Sequence, residues 1–330
     1  MKLLVFALSM MLAGEASAQT VMKLATATIN DPQHEWLKEY KNRIEAKTEG
    51  RIKAEIYPGG QLGAIPRMVE GLQLGTVELF LGPSGFFKGL NPAFQVTEAP
   101  GLIETLQQAA RVFEDPGFRE PLLSLGEAKG VVGVAIFPAG TMSYASVKPI
   151  RTIEDFRGKK IRVLATKIET ESMARLGAAG VPVDLSEVTT ALQSGGLDGI
   201  RSSIIVMNGM KLTSAAKYLT VVDETMVPVI AFVSRPFLEK LSAADRAAVA
   251  AAGRELDGYG AQISLKFYGE AEAAWKANGG EIIRYPAQDR AEHMRRIMPV
   301  AEELFAGPQA DEQTRKLYAE LKAAVQRNPK

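Results

Sequence analysis

The sequence predicts an α/β protein built as two interleaved lobes. Three observations lead there: apolar strand-like runs alternate with amphipathic helical stretches along the whole chain, the length exceeds that of a typical single domain, and strand-helix units resume after a clear break in pattern. Lys2, the apolar run 3–12 and the small-x-small triplet Ala16-Ser17-Ala18 form an export signal, so the mature chain is expected to begin at Gln19 and reside in the periplasm. That run is too short for a membrane span, which needs about 20 apolar residues.

The first lobe opens with a short buried strand over 21–27. Asp31 then caps a helix with Pro32 in its first turn, and Trp36, Tyr40 and Ile44 give it a buried stripe that Gly50 ends. Ile52, Ala54 and Ile56 alternate with charged residues, the signature of a half-buried strand, before the turn Pro58-Gly59-Gly60, which Gln61 steadies. A helix over 66–74 and a strand over 77–81 complete a strand-helix series that calls for a largely parallel sheet. Helices near 105–114 and 119–129 and a strand over 131–137 follow.

The pattern breaks at Lys148-Pro149-Ile150. Thr152 and Asp155 have capping-box spacing and open a short helix ended by Gly158. Strands over 160–164, 181–184 and 197–200 alternate with helices over 169–176 and from Ser186, its expected cap, to Gly195-Gly196. The strand over 227–233 contains Pro228, which argues for an edge position or a strand start. Ser242 and Asp245 open a long alanine-rich helix reaching toward Ala277, long enough to cross between lobes; a strand over 281–285 and two helices finish the chain.

Composition narrows function. Lys plus Arg number 39 and Asp plus Glu 38, so no general field favours nucleic acid or anionic membrane; affinity for an anion has to come from a few placed charges. The chain has no cysteine, which excludes thiol redox chemistry, thiolate zinc sites and a lipid anchor at the signal peptide's end. The two histidines, His34 and His293, lie far apart on amphipathic helices, where a surface or boundary role is the ordinary one. No nucleophile elbow, His-Glu-x-x-His or phosphate-binding loop occurs, so no catalytic set, metal site or cofactor is predicted.

Several segments resemble the solute-binding proteins of TRAP transporters: Gly50-Arg51-Ile52-Lys53, Tyr57-Pro58-Gly59-Gly60-Gln61-Leu62-Gly63, Gly71-Leu72-Gln73-Leu74-Gly75-Thr76-Val77-Glu78, Pro149-Ile150 through Phe156-Arg157-Gly158-Lys159-Lys160-Ile161-Arg162-Val163, and Glu187, Thr190-Ala191-Leu192-Gln193 and Leu197-Asp198-Gly199. The likeness runs in order over nearly the whole mature chain. It implies a two-lobed periplasmic-binding-protein fold with a hinge, a small organic acid closed between the lobes, a monomer, and delivery to a sodium-coupled permease. Lobe I is expected over 19–142 and 228–267, lobe II over 143–227 and 268–330. Another importer, a sensor, or an exported enzyme acting on organic acids are the rival readings.

The resemblance also implies that Arg162 pairs with the ligand carboxylate, a use that suits a planar guanidinium at a strand's end. On residue pattern alone, Arg162 could equally pair with an internal acid. The departures from the family pattern are specific. Near Gly140, Thr141 and Met142 stand where a second arginine is frequent; Ile200-Arg201-Ser202-Ser203 replaces Gln-Glu-Asn-Pro; and Asp223-Glu224 replaces Asn-His. Acid-to-arginine and histidine-to-glutamate changes suggest a compensating pair, Arg201 with Glu224; the alternative is that Arg201 reads a second acidic group on the ligand. Thr28 and Asn30 after the first strand, Pro83, Ser84 and Phe86 after the third, and Leu185 as an aliphatic wall complete the expected ligand-binding set with Arg162, Arg201, Ser202 and Glu224.

Overall fold

The computed structural model describes residues 19–330; the expected export signal lies outside them. In chain order the elements are β1 (Thr20–Thr26), α1 (Pro32–Lys47), β2 (Ile52–Tyr57), α2 (Ile65–Leu74), β3 (Leu79–Pro83), α3 (Leu106–Glu114), α4 (Pro116–Ser124), β4 (Val131–Ser146), β5 (Lys160–Val163), α5 (Lys167–Arg175) and β6 (Ala179–Pro182). There follow α6 (Val188–Gln193), β7 (Gly199–Ser203), α7 (Ile204–Gly209), β8 (Tyr218–Val221), β9 (Met226–Ser234), α8 (Arg235–Leu238), α9 (Ala243–Arg254), α10 (Asp257–Ala277), β10 (Glu281–Arg284), α11 (Ala287–Phe305) and α12 (Glu312–Arg327).

Two sheets share one strand. The first runs β2-β1-β3-β9-β4; the second continues from β4 through β7 and β5 to β6, with β8 and β10 on the other side of β4. Residues 131–141 of β4 pair with β9, whereas 142–146 pair with β7 and, in part, β8. Pairs within each α/β series are parallel, as the alternation predicts, but β9 and β4 run antiparallel to their neighbours, so the sheet is mixed.

Local chemistry places most boundaries where the sequence puts them. The Asp31 side chain accepts from the His34 amide, and Trp36, Tyr40 and Ile44 are fully buried beneath α1. Trp36 stacks on Tyr40 with centroids 5.1 Å apart and donates to Leu256 O, fixing α1 against the later helices. Thr152 and Asp155 form the capping box, and Ser242 caps α9.

Five local expectations change. Pro228 sits in a central strand, not an edge: it lies opposite Pro138 at a bulge on β4, and β3 pairing begins only at Val229, so its missing N–H is lost where the ladder is already interrupted. β4 continues nine residues past Phe137, because the same bulge absorbs Pro138 and Gly140 without ending the strand. The stretch 119–129 is α4, beginning at Pro116, followed by a separate 3-10 turn over Glu127–Lys129. Asp184, not Ser186, caps the turn before α6. The long helix is two, α9 and α10, broken at Glu255–Leu256; α10 alone has 21 residues, about 30 Å, and touches both α1 and α7. The last helix, α12, packs on α3, α4 and the 3-10 turn Pro92–Glu98, and also touches α11.

Candidate functional site

Strand alternation sets the site. Arg162 is the third residue of β5, opposite Val181 and Ile200 of the flanking strands. Ile161 and Val163 point to one face and join the core beneath α11, so Arg162 points to the other, toward the gap between the two sheets. It is 2% exposed. Its Nε donates to Val183 O at 3.0 Å, and among the described residues the two terminal nitrogens bond to no protein group. Burial lowers its pKa, against the pull of Glu169 and Asp184.

Two hollows meet at Arg162, Phe86 and Leu164. The inner is a cavity of about 20 Å³, bounded by Thr28, Gln33, Pro83, Phe86, Ala139, Met142, Arg162, Leu164, Leu185, Ser202, Ser203, Val206 and Val227. The outer, of about 300 Å³, is lined by Ala64–Pro66, Gly85, Lys88 and Pro182–Asp184 beside the shared residues. The inner wall is mostly aliphatic, with one charge and a few hydroxyl and amide groups. Such a lining holds a small acid by one charged contact and packs the rest by shape.

Of the expected residues, Arg162, Ser202, Thr28, Phe86, Leu185 and Pro83 converge on this cavity. Asn30 does not: it is exposed with φ 56°, on a separate surface hollow beside Asn208 and Lys211. Ser84 is fully buried and donates to Phe94 O at 2.7 Å, holding its turn. Arg201 and Glu224 also lie off the cavity. Arg201 neighbours Ser202 on β7, so its side chain turns to the opposite face.

There Arg201 is consumed by protein. Its Nε bonds Glu224, its Nη1 bonds Glu169 and its Nη2 donates to Thr225 Oγ1 at 3.1 Å. Glu224 also accepts from Tyr144 Oη at 2.8 Å and contacts His293 Nε2. Burial pushes the Glu224 carboxyl up, but Arg201 and the His293 hydrogen bond outweigh it and hold it at about 2; the same acids raise the Arg201 pKa. The Arg201–Glu224 pairing is therefore present, with Glu169 as a third member. His293 is fully buried, not a boundary residue, because its helix lays that position against Tyr144, Phe156 and Tyr285.

Sequence reasoning missed Gln33, Ala139, Met142, Leu164, Ser203, Val206 and Val227 on the wall and Glu169 in the network. Gln33 follows the predicted Asp31-Pro32 cap directly, and Leu164 lies two residues after Arg162, so proximity was their signal. Glu169 on a helix has none.

The profile of "Bacterial extracellular solute-binding protein, family 7" matches residues 25–307. The chain belongs to that family. It is 34% identical to the uncharacterised protein YiiZ of Salmonella typhimurium over 71% of this chain and 72% of that one. It is 28% identical to the C4-dicarboxylate-binding periplasmic protein DctP of Rhodobacter capsulatus over 90% of each. The fold superposes on a TRAP periplasmic solute-binding protein of Desulfovibrio salexigens solved with orotic acid, with TM-score 0.86 and 25% identity, covering 93% of this chain and 100% of that one. The resemblance to TRAP solute-binding proteins thus holds, and family 7 is a family of extracellular solute-binding proteins. Among the described residues no helix is long and apolar enough to cross a membrane.

Proposed function

We propose that this protein captures a small monocarboxylate between its two sheets and passes it to a TRAP-type, sodium-coupled permease. The observation that carries this is Arg162: a buried guanidinium whose terminal nitrogens face a small cavity with no acid bonded to them. A carboxylate fits that fork with two parallel hydrogen bonds. The relatives support the ligand class, since one is named for C4-dicarboxylates and another was solved with orotic acid.

One charge partner argues for one carboxylate. Arg201, the other arginine nearby, is held by Glu224 and Glu169 and faces away. The aliphatic wall of Leu164, Leu185, Val206 and Val227 suits a short apolar tail. Capture works by closure: the bulge of β4 and the start of β9 are the crossings about which the halves move, and ligand favours the closed form by the contacts it makes only there. A cavity of about 20 Å³ has room for roughly one water, so entry requires that movement.

A thermal-shift screen over mono- and dicarboxylates, followed by calorimetry, tests this; ligand at 100-fold its Kd adds about 2.7 kcal/mol. Stoichiometric binding of a short monocarboxylate without turnover is the expected result. An Arg201→Ala variant that loses a dicarboxylate while keeping its monocarboxylate analogue contradicts the charge assignment.

A further inference from the structure

We infer that closure around the ligand takes up one proton, held by Glu98, so that the organic anion is captured together with H⁺. This rests on the closure reading above. Glu98 ends the 3-10 turn Pro92–Glu98, which packs on β9 and α12 in the first-sheet half. Thr166, at the N-terminus of α5 in the second-sheet half, donates to Glu98 Oε2 at 2.7 Å. The bond spans the gap. So do Ile65 N to Asp184 at 3.1 Å, Lys167 N to Gln95 at 2.7 Å, and Lys88 Nζ to Ala165 O.

Glu98 is 4% exposed, and its Oε1 is buried with no hydrogen-bond partner. That oxygen lies against Gly85, where any Cβ would overlap it. Four groups face the carboxyl: Thr166 and Glu169 from α5, Arg201 from β7, and Lys88. Neither cation is bonded to it, since Arg201 is taken by Glu169 and Glu224 and Lys88 by Ala165. A buried carboxyl with an uncontacted oxygen and no bonded cation keeps its proton. Burial and then the Glu169 charge push it up to about 8, over the opposing pull of Thr166, Arg201 and Lys88. The charges of the region agree: Arg162 and Arg201 balance Glu169 and Glu224, and the half-buried Lys88 and Asp184 offset one another, so a seated carboxylate and an ionised Glu98 would add two negative charges that these groups do not answer.

Opening carries Thr166, Glu169 and Arg201 away, and water returns Glu98 to the ordinary carboxylate range near 4.5. The closed form then binds more protons than the open one from about pH 4.5 to 8. Affinity is therefore greatest in acid, falls as pH rises through that window and levels off above it, losing about 50-fold between pH 6 and pH 8.

Calorimetry with lactate, pyruvate, 2-oxoisovalerate and succinate in phosphate and in Tris at pH 7 counts protons from the difference in apparent heat. About 0.9 proton taken up per bound acid is expected. Glu98→Gln should bind the same acid with no uptake and with affinity flat from pH 6 to 8. Tight binding by the wild type without proton uptake, or a pH slope that persists in Glu98→Gln, overturns the inference while leaving the ligand assignment intact. Failure of all four acids to bind refutes the assignment itself, and the linkage with it. Should Glu98→Gln not fold, the wild-type proton count alone decides.

Discussion

Replacing Arg162 by methionine separates its two roles, because the change should cripple binding without harming the fold. In the ligand-free protein the guanidinium is 2% exposed, makes one hydrogen bond, to Val183 O, and has its pKa lowered chiefly by burial. Glu169 and Asp184 offset that cost only at a distance, so the folded state carries an under-compensated charge. Methionine fills much of the same volume with no charge to desolvate, and buried ion sites replaced in this way are often neutral or more stable by about 1–4 kcal/mol. With ligand the balance inverts. Removing one partner of a buried, bidentate pair costs about 3–5 kcal/mol, a loss of roughly two to three and a half orders of magnitude in Kd. Differential scanning fluorimetry with and without ligand, paired with calorimetry, reads both effects. The expected result is a ligand-free Tm equal to or a few degrees above wild type, with the ligand-induced rise abolished. A variant that melts well below wild type while binding within about threefold of it would show that Arg162 is a structural residue.

Two more perturbations probe the frame. Glu224 is held at about 2 against an ordinary 4.5, so it contributes stability that is fully present above about pH 4.5 and drains away as pH falls toward 2, on the order of 3 kcal/mol in all; the stability gap between wild type and Glu224→Gln, from urea melts at pH 5 and pH 3, should narrow in acid, and a gap independent of pH counts against the ion pair. Gly260 lets α10 lie on the Phe137 ring, which a Cβ there would overlap, so Gly260→Ala should cost about 1–3 kcal/mol by overpacking, visible as a lower Tm; an unchanged Tm would mean that α10 is not tightly seated on β4.

What the sequence disclosed and what it hid divide along physical lines. Caps and stripes were legible because they depend on neighbours within one turn: Asp31 with His34, Thr152 with Asp155, and Trp36 with Tyr40. Arg162 was legible through the family resemblance, since strand alternation alone left it equally able to pair with an internal acid. The proline at 228 misled, since its tolerance depends on a bulge in β4, some ninety residues earlier. The break at Glu255–Leu256 carries no proline or glycine of its own; the Leu256 carbonyl accepts from Trp36, a partner 220 residues away, as well as from Gly260 in the first turn of α10. Glu98, Glu169 and His293 have the same letters as solvated helix residues, and only tertiary packing turns them inward. Arg201 was correctly matched with Glu224, but its second acid was invisible for that reason.

The strand common to both sheets has a consequence for synthesis. β3 acquires its inner neighbour only when β9 emerges, about 150 residues later, and the first sheet cannot close before β5 to β8 of the second have been made. Neither half is a folding unit in chain order. A fragment stopping near residue 150 would present β3 as a bare apolar rim, ready to pair with its own copies, so this molecule should resist being dissected into working pieces and should reach its native form late and all at once.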